Sequence, residues 1–436
     1  MANILLIYPE PDEVKSARFG FSLDLLYLSS ILKKAGHKIE YKDYAVENFC
    51  AQGLIEQLEK ADVVVVELDS FPLKRSTNVS KARQMVQLIG ELKLSIKIVA
   101  FGKDCILFPR KMEYVDFTFD CEPEPSICNV VDMLVNSTLN MDEIVLKDKV
   151  VLKLDTLPFP DRSLLSGFAE HGGTVNRKPF LAKSTLVQTS RGCLNSCIFC
   201  QRQGWNTQYR FRSMENVLSE FREIRDNNYI NIWVSDDNFS FNLPRAKDIL
   251  EGFVHEDLTK DMKLALSSWT KIDVEFLDLA KKAGVSLISF GIESANNHIL
   301  DFYQKDLDLR HVEMLIRYAD SIGIYTVGNF IIGAPMETEE SINNTFEYAL
   351  NIPFDQVNVK ILDYMAGSKL YESLDKEYKE DKRHIFACKE NGLNNFPLAY
   401  LKGKIDKFNK MFNRRKAPNF IMKLRKYGMP YKLLET

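Results

Sequence analysis

Ser190-Arg191-Gly192-Cys193-Leu194-Asn195-Ser196-Cys197-Ile198-Phe199-Cys200 is the stretch on which the reading of this chain turns. Its spacing, Cys-x3-Cys-x2-Cys, offers three thiolates from one short loop. A [4Fe–4S] cube needs four ligands, so a trio leaves one iron open to a small molecule. A structural zinc site wants a closed tetrahedron, usually two Cys pairs or Cys with His. No second pair lies nearby: the closest upstream histidine is His171, and none follows before His255. A chance group of structural cysteines is the plainest alternative. The spacing, the strand before the loop and the missing fourth ligand favour the open iron–sulfur cluster at Cys193, Cys197 and Cys200.

Working outward, residues 184–370 alternate strand and helix patterns. Thr185–Thr189 leads into the loop, and apolar runs follow at Ile230–Val234, Lys263–Ser267, Leu287–Phe290, Tyr325–Ile332 and Gln356–Leu362. Helical spacing occupies about 213–228, 243–254, 273–283, 308–323 and 338–350. Upstream, residues 1–140 show the same alternation. Ile4–Tyr8, Val63–Leu68 and Ile96–Phe101 are rich in β-branched residues, as strands buried on both faces of a parallel sheet are. Lys38–Asp43 and Tyr114–Phe119 add two strands; Ser22–Ala35, Val79–Leu92 and a stretch near Pro125–Leu134 are helical. Five strands with intervening helices predict an α/β, Rossmann-like, doubly wound domain that takes ligands at its carboxyl edge. Between the two segments, residues 141–183 contain Leu157-Pro158-Phe159-Pro160-Asp161-Arg162 and His171-Gly172-Gly173, and the paired prolines read as an extended linker.

With the cysteine loop, its preceding strand and Phe199 before the last cysteine, the chain resembles the radical S-adenosylmethionine (SAM) superfamily. The resemblance implies a partial (β/α)6 barrel in which the open iron is chelated by the amino and carboxylate groups of SAM. One electron then releases a 5′-deoxyadenosyl radical. A single-electron reductant such as flavodoxin or ferredoxin is the partner this implies. Phe199 falls where the family keeps an apolar residue near the adenine; it also reads as a plain core aromatic.

Further motifs carry the resemblance round the barrel. Gly291-Ile292-Glu293-Ser294 follows a strand, as the family's SAM-holding Gly-x-Glu-Ser turn does, with capping of the next helix as the other reading of Glu293 and Ser294. Asp236-Asp237-Asn238-Phe239 matches the family's Asp-Asp-x-Phe; Asp236 and Asp237 become candidate catalytic acids, or caps of the helix after Leu243. Lys271 stands where many relatives carry Arg, keeping the charge without the planar fork. Phe330-Ile331-Ile332-Gly333-Ala334-Pro335-Met336-Glu337-Thr338 matches a turn in which Gly333 approaches the adenosine and Glu337-Thr338 opens a helix. Tyr209-Arg210-Phe211-Arg212-Ser213 matches a run in which Arg210 and Arg212 position the loop or SAM, or pair at the surface.

A Rossmann-like domain before such a barrel resembles the cobalamin-binding domain of the class B radical SAM enzymes, through Leu25-Leu26-Tyr27-Leu28-Ser29, Lys34-Ala35-Gly36-His37 and Ala61-Asp62-Val63-Val64-Val65. Cobalamin is therefore an expected further cofactor, and methylation of an unactivated carbon the expected chemistry. Two turns depart from the family: Ala100-Phe101-Gly102-Lys103 replaces a Gly-Gly pair, and Cys121-Glu122-Pro123-Glu124 a Gly-Glu-Gly-Glu-like turn. Cobalamin-independent cyclisation, rearrangement or cleavage on a degenerate domain is the alternative chemistry. His37, the one histidine of residues 1–140, reads as packing at a strand start.

The 436 residues are 45% hydrophobic and 27% charged, with a net charge of −3. That describes a globular protein of two or three domains and excludes no partner by charge alone. Eight cysteines without framework spacing argue against a disulfide scaffold, no run of about 18 apolar residues suggests a membrane span, and the start lacks a basic signal-peptide region. A cytoplasmic setting is expected. Residues 371–436 form a basic helical extension: Leu401–Thr436 holds eleven Lys/Arg against Asp406 and Glu435. Peripheral membrane contact is one reading; a terminal helix packing its apolar side on the core is the simpler one. The substrate is expected to be a small molecule, a lipid or a peptide. An RNA-modifying, methylthiolating enzyme would need an RNA module and often a second cluster, so nucleic acid is not the expected partner.

Overall fold

The structure is a computed structural model that describes residues 1–10, 12, 21–44, 49–69, 78–109, 112–136, 150–165, 174–175, 178–179, 184–204, 208–379 and 382–427. The His171-Gly172-Gly173 stretch lies outside the described residues, as do residues 428–436 and the side chains from 416 onward. By contacts the chain forms two units: Met1–Val187 with Arg210–Asn216, and Gln188–Tyr209 with Val217–Thr436.

The first unit is a five-stranded parallel sheet in the order β2-β1-β3-β4-β5, with β1 Asn3–Tyr8, β2 Lys38–Asp43, β3 Val63–Glu67, β4 Lys97–Phe101 and β5 Phe117–Thr118. This is a doubly wound order. The central strands β1 and β3 are the most apolar, and from Ile4 to Tyr8 and Val63 to Glu67 every residue is buried. Edge strand β2 alternates, with Lys38 and Glu40 exposed, which blunts a free edge. Helix α1, Leu23–Lys34, begins where Ser22 Oγ accepts the Leu25 amide at 3.1 Å. The strand expected over Tyr114–Phe119 shrinks to two residues because Tyr114 takes φ 67°, a turn conformation. His37 sits at the amino end of β2 and accepts the Ala2 amide at 3.3 Å, the packing role expected of it.

The proline-rich stretch is strapped to α1 rather than hanging free. Asp161 pairs with Lys33 at 2.5 Å and accepts from Ser29 at 2.7 Å, and Ser30 Oγ donates to Phe159 O at 2.6 Å. These contacts hold the Asp161 carboxyl below its usual range against the opposing effect of burial. Arg210 also belongs to this unit: its guanidinium grips Glu122 at 2.7 and 2.8 Å and donates to Val151 O at 2.8 Å, with both side chains buried. Arg212 lies over the Phe159 ring and donates to Asn216. Both arginines thus have structural partners within the first unit.

Chain enters the second unit from strand β6, Ser184–Val187. Five parallel strands follow in simple succession: β7 Asn231–Val234, β8 Lys263–Ser268, β9 Val285–Glu293, β10 Tyr325–Ile332 and β11 Gln356–Ile361. Helices Leu243–His255, Val274–Lys282, Leu309–Ser321 and Glu339–Asn351 connect them. One sheet face is almost dry, with Leu264, Leu266, Ile288, Phe290, Ile292 and Ile332 at most 1% exposed beneath the helices. The other face carries the half-buried residues Trp233, Ala265, Ser289, Asn329 and Asn358 and is the inner wall of a partial barrel. After β11 come a ribbon of β12 Asp363–Met365 and β13 His384–Phe386, then a terminal helix, Leu398–Tyr427. Leu401, Phe408 and Phe412 are buried, and Phe408 stacks on Phe346 with centroids 4.6 Å apart, so this helix packs its apolar side on the core. Among the described residues no helix is long and apolar enough to cross a membrane.

Candidate active site

The cysteine loop is pinned at its stem. Asp236, at the carboxyl end of β7, accepts from Thr189 N, Thr189 Oγ1 and Ser190 Oγ, each at 2.6 Å. Arg245 donates to Thr189 O at 2.8 Å from the next helix. Within the loop Cys200 N donates to Cys197 O at 3.1 Å, and Gln203 Nε2 to Asn195 O at 2.7 Å. Its middle is held from both sides: Ile198 N donates to Tyr303 O, Leu370 N donates to Ile198 O, and Phe199 packs edge-on against Tyr303 at 5.1 Å. Asp237 forms an ion pair with the buried Arg202. Asp236 and Asp237, expected as catalytic acids, thus meet the loop and its flank; the helix cap they offered is supplied by Asn242.

The three thiols are electrostatic neighbours. Burial pushes the Cys197 thiol up to about 11, Lys305 opposes this, and Cys200, Glu293 and Cys193 reinforce it. Among the described residues no three His, Cys, Asp or Glu side chains, the cysteine trio included, are gathered closely enough to hold a metal ion. Three soft donors on one fixed loop, with no fourth, nevertheless suit a cubane whose last iron stays open, and iron itself would hold the thiols deprotonated.

Opposite the loop, β9 ends in a register shift between Gly291 and Glu293. Glu293 takes φ 71°, costly for a side-chain-bearing residue and typical of a re-aimed functional group. A Cβ on Gly291 would lie 2.5 Å from Glu293 Oε1 and 3.1 Å from Lys305 Nζ, so a side chain there would displace the ends of both groups. Lys305 pairs with Glu293 at 3.2 Å and lies 4.9 Å from the Trp269 ring centroid. Lys271, expected to meet the cofactor, is instead exposed and paired with the exposed Asp306. The cation buried beside Glu293 is Lys305, which sequence reasoning missed; its signal was a lone Lys twelve residues beyond Glu293. Ser294 is fully buried and engages Asn296 and Thr345, tying the turn to the helices behind it.

Gly333 follows β10 at φ 98°, its carbonyl accepting from Asn394 at 2.9 Å. Glu337 folds back so that Oε2 accepts the Gly333 and Ala334 amides, the latter at 3.1 Å. Burial outweighs those bonds and pushes the Glu337 carboxyl up to about 7. Thr338, as expected, opens the helix, with Ser341 completing a capping box. Around this centre Trp269 Nε1, Tyr303 Oη and Glu337 Oε1 are buried without hydrogen-bond partners. Such atoms cost about 1–3 kcal/mol each unless something satisfies them, and a polar ligand such as SAM would.

A cysteine trio on a pinned loop, set at the carboxyl end of a parallel partial barrel, is the arrangement an open iron–sulfur cluster would need. Residues 187–349 match the Radical SAM superfamily, so that stretch of the chain is a radical SAM domain. It is 25% identical over 392 residues to an uncharacterized methyltransferase of Pyrococcus horikoshii, covering 85% of this chain and 82% of the relative. It is 27% identical over 281 residues to cytidylyl-2-hydroxyethylphosphonate methyltransferase of Streptomyces wedmorensis, covering 61% of this chain and about half, 52%, of that relative's length. In fold it is similar to the radical SAM methyltransferase TsrM of Kitasatospora setae, solved with cobalamin and a [4Fe–4S] cluster. The TM-score is 0.68 at 17% identity, covering 84% of this chain and 73% of that one. It is also similar to the cobalamin-dependent radical enzyme OxsB, with a TM-score of 0.64 at 21% identity, covering 86% of this chain and 56% of that one.

Proposed function

We propose that this protein is a cobalamin-using radical SAM methyltransferase acting on an unactivated carbon of its substrate. The observation that carries the reading is the pairing of the pinned Cys193/Cys197/Cys200 loop with the strained Glu293 turn and its buried Lys305. The methyltransferase relatives and the shared two-unit fold support the methyl transfer. When bound, the cluster and SAM supply a hydrogen-abstracting radical on one-electron reduction, and cobalamin supplies the methyl group. Flavodoxin or ferredoxin is the donor class that fits.

The chain's own residues do the holding. Cys193, Cys197 and Cys200 carry the cluster; Glu293 faces the ammonium of SAM, and Gly291 and Gly333 let the backbone come close. Phe199 supports the loop from below, and Asp236, Asp237 and Arg202 fix its stem and flank. In the first unit, the carboxyl edge of the sheet presents buried Glu67, Asp69 and Lys103, with Lys103 and Asp69 paired at 3.2 Å. Carboxylate and ammonium groups suit the amide-fringed rim of a corrin, and among the described residues of this unit the one histidine, His37, sits at the amino end of β2.

A methylthiolating reading draws no support from the remaining thiols. Cys50 caps a helix, accepting from Gly53 N, Cys105 is buried with its thiol pushed far up by desolvation, and Cys128 donates to Ile31 O. The test is anaerobic reconstitution with iron, sulfide and hydroxocobalamin, followed by metal analysis and 5′-deoxyadenosine assay. Near-stoichiometric cobalt, with nucleoside release lost in Cys197→Ala, is expected. Iron without cobalt would remove methyl transfer, and nucleoside release by Cys197→Ala would sink the cluster assignment.

A further inference from the structure

The inner wall of the partial barrel carries a hydrogen-bonded polar ladder that the cofactors do not account for. Gly291, Asn329 and Asn358 occupy one row across β9, β10 and β11. Asn329 Nδ2 donates to Ser289 Oγ and to Phe290 O, both at 2.9 Å, using both of its N–H groups. Asn358 Nδ2 donates to Asn329 Oδ1 at 3.1 Å, and Gln356 Nε2 donates to Asn358 Oδ1 at 2.9 Å. Below the row, toward the amino ends of the strands, Leu287, Tyr325 and Val327 form an apolar floor.

Carboxamides in the middle of strands are unfavourable for a sheet, where β-branched and aromatic residues pack best. The dry face of the same strands follows that rule, with Phe290, Phe330 and Ile332 at most 1% exposed. Asn329 and Asn358 break it on the half-open inner face only, and in the row that begins at the SAM-side Gly291. The ladder bonds also fix its polarity. With Asn329 using both N–H groups internally, the Ser289 hydroxyl proton and the second Asn358 N–H are the donors left toward the interior. Two donors held in place by the ladder suit a carbonyl-type acceptor, and the apolar floor suits the carbon skeleton beneath it.

We propose that Ser289, Asn329 and Asn358 orient the substrate, and that the substrate is a carbonyl-bearing, amide-type molecule rather than an aliphatic lipid. The carbonyl oxygen rests on the Ser289 and Asn358 donors, which sets the adjacent C–H bonds beside Gly291. This rests on the SAM-binding reading of the second unit, and the experiment separates the two.

Reconstituted full-length enzyme is examined by saturation-transfer NMR with two probes, N-acetylglycinamide and octanoate, while SAM binding is followed by equilibrium dialysis. Binding of N-acetylglycinamide, at least tenfold weakened in Asn358→Leu and in Ser289→Ala with SAM still bound, is the expected result. SAM retention certifies that each variant is folded, and Ser289→Ala carries the test should Asn358→Leu fail it. No amide binding, octanoate binding equally well, or amide binding indifferent to both substitutions overturns the proposal while leaving SAM chemistry intact. Loss of SAM binding in the unsubstituted enzyme overturns the reading beneath it.

Discussion

Lys305 Nζ lies 3.2 Å from Glu293 Oε1, with both side chains about nine-tenths buried. The pair sits where the register of β9 slips and beside Gly291, where a Cβ would displace the ends of both groups. Removing one member of a buried pair strands the other and costs about 3–5 kcal/mol. Lys305→Met is therefore expected to lower thermal stability and to weaken SAM binding at least tenfold by equilibrium dialysis. Lys271→Ala, which removes an exposed pair worth at most about 1 kcal/mol, should leave both unchanged. Equal losses in the two variants would return the role to Lys271.

Gly291→Ala places a methyl group 2.5 Å from Glu293 Oε1, so the carboxylate must swing away. The variant should fold with a native circular dichroism spectrum and lose most SAM affinity. Unchanged affinity would mean that Glu293 does not face the ligand.

Glu337 gives stability a pH dependence with a definite sign. Its folded carboxyl is raised from 4.5 to about 7, so the folded state holds its proton after the unfolded chain has released it. Stability from this group is complete below about pH 4.5 and declines as pH rises to about 7, by about 3 kcal/mol at 1.36 kcal/mol per unit. Urea unfolding midpoints of the native chain, compared with Glu337→Gln across that window, should show the decline only in the former. Parallel pH profiles would mean that the carboxyl ionises normally.

Asp236→Ala removes three hydrogen bonds to the cysteine-loop stem at once. Iron bound after reconstitution should fall to a minor fraction of the native value while secondary structure persists. Full iron loading would show that the thiols find the cluster without that anchor.

How much of this was legible in the sequence follows from what each feature depends on. Central strands such as Val63–Glu67 hold continuous apolar runs, here Val63 to Val66, and the helices after them repeat at helical spacing, so their positions could be read locally. The cysteine loop and the Gly291–Ser294 turn also carry their chemistry in adjacent residues. Lys305 does not: its meaning comes from a contact with Glu293 made across an intervening helix, Asn297–Phe302. Asp236 looked catalytic because an acid at a strand end often is, and only its three bonds to Thr189 and Ser190 reveal an anchor. The Asn329–Asn358 ladder was invisible for the same reason, since the two residues meet only once β10 and β11 align. Phe117–Thr118 came out shorter than expected because backbone geometry at Tyr114, not composition, ends the segment.

The return of Arg210–Asn216 to the first unit, after Gln188–Tyr209 has joined the second, makes both units discontinuous along the gene. No single cut yields either one whole. Truncating after Val187 strands the Glu122 carboxylate that Arg210 neutralises, and starting a fragment at Gln188 leaves Arg210 without its acceptor. Gene fusion, domain exchange or independent expression of the two halves would have to carry that seven-residue hook along, and natural recombination would face the same constraint.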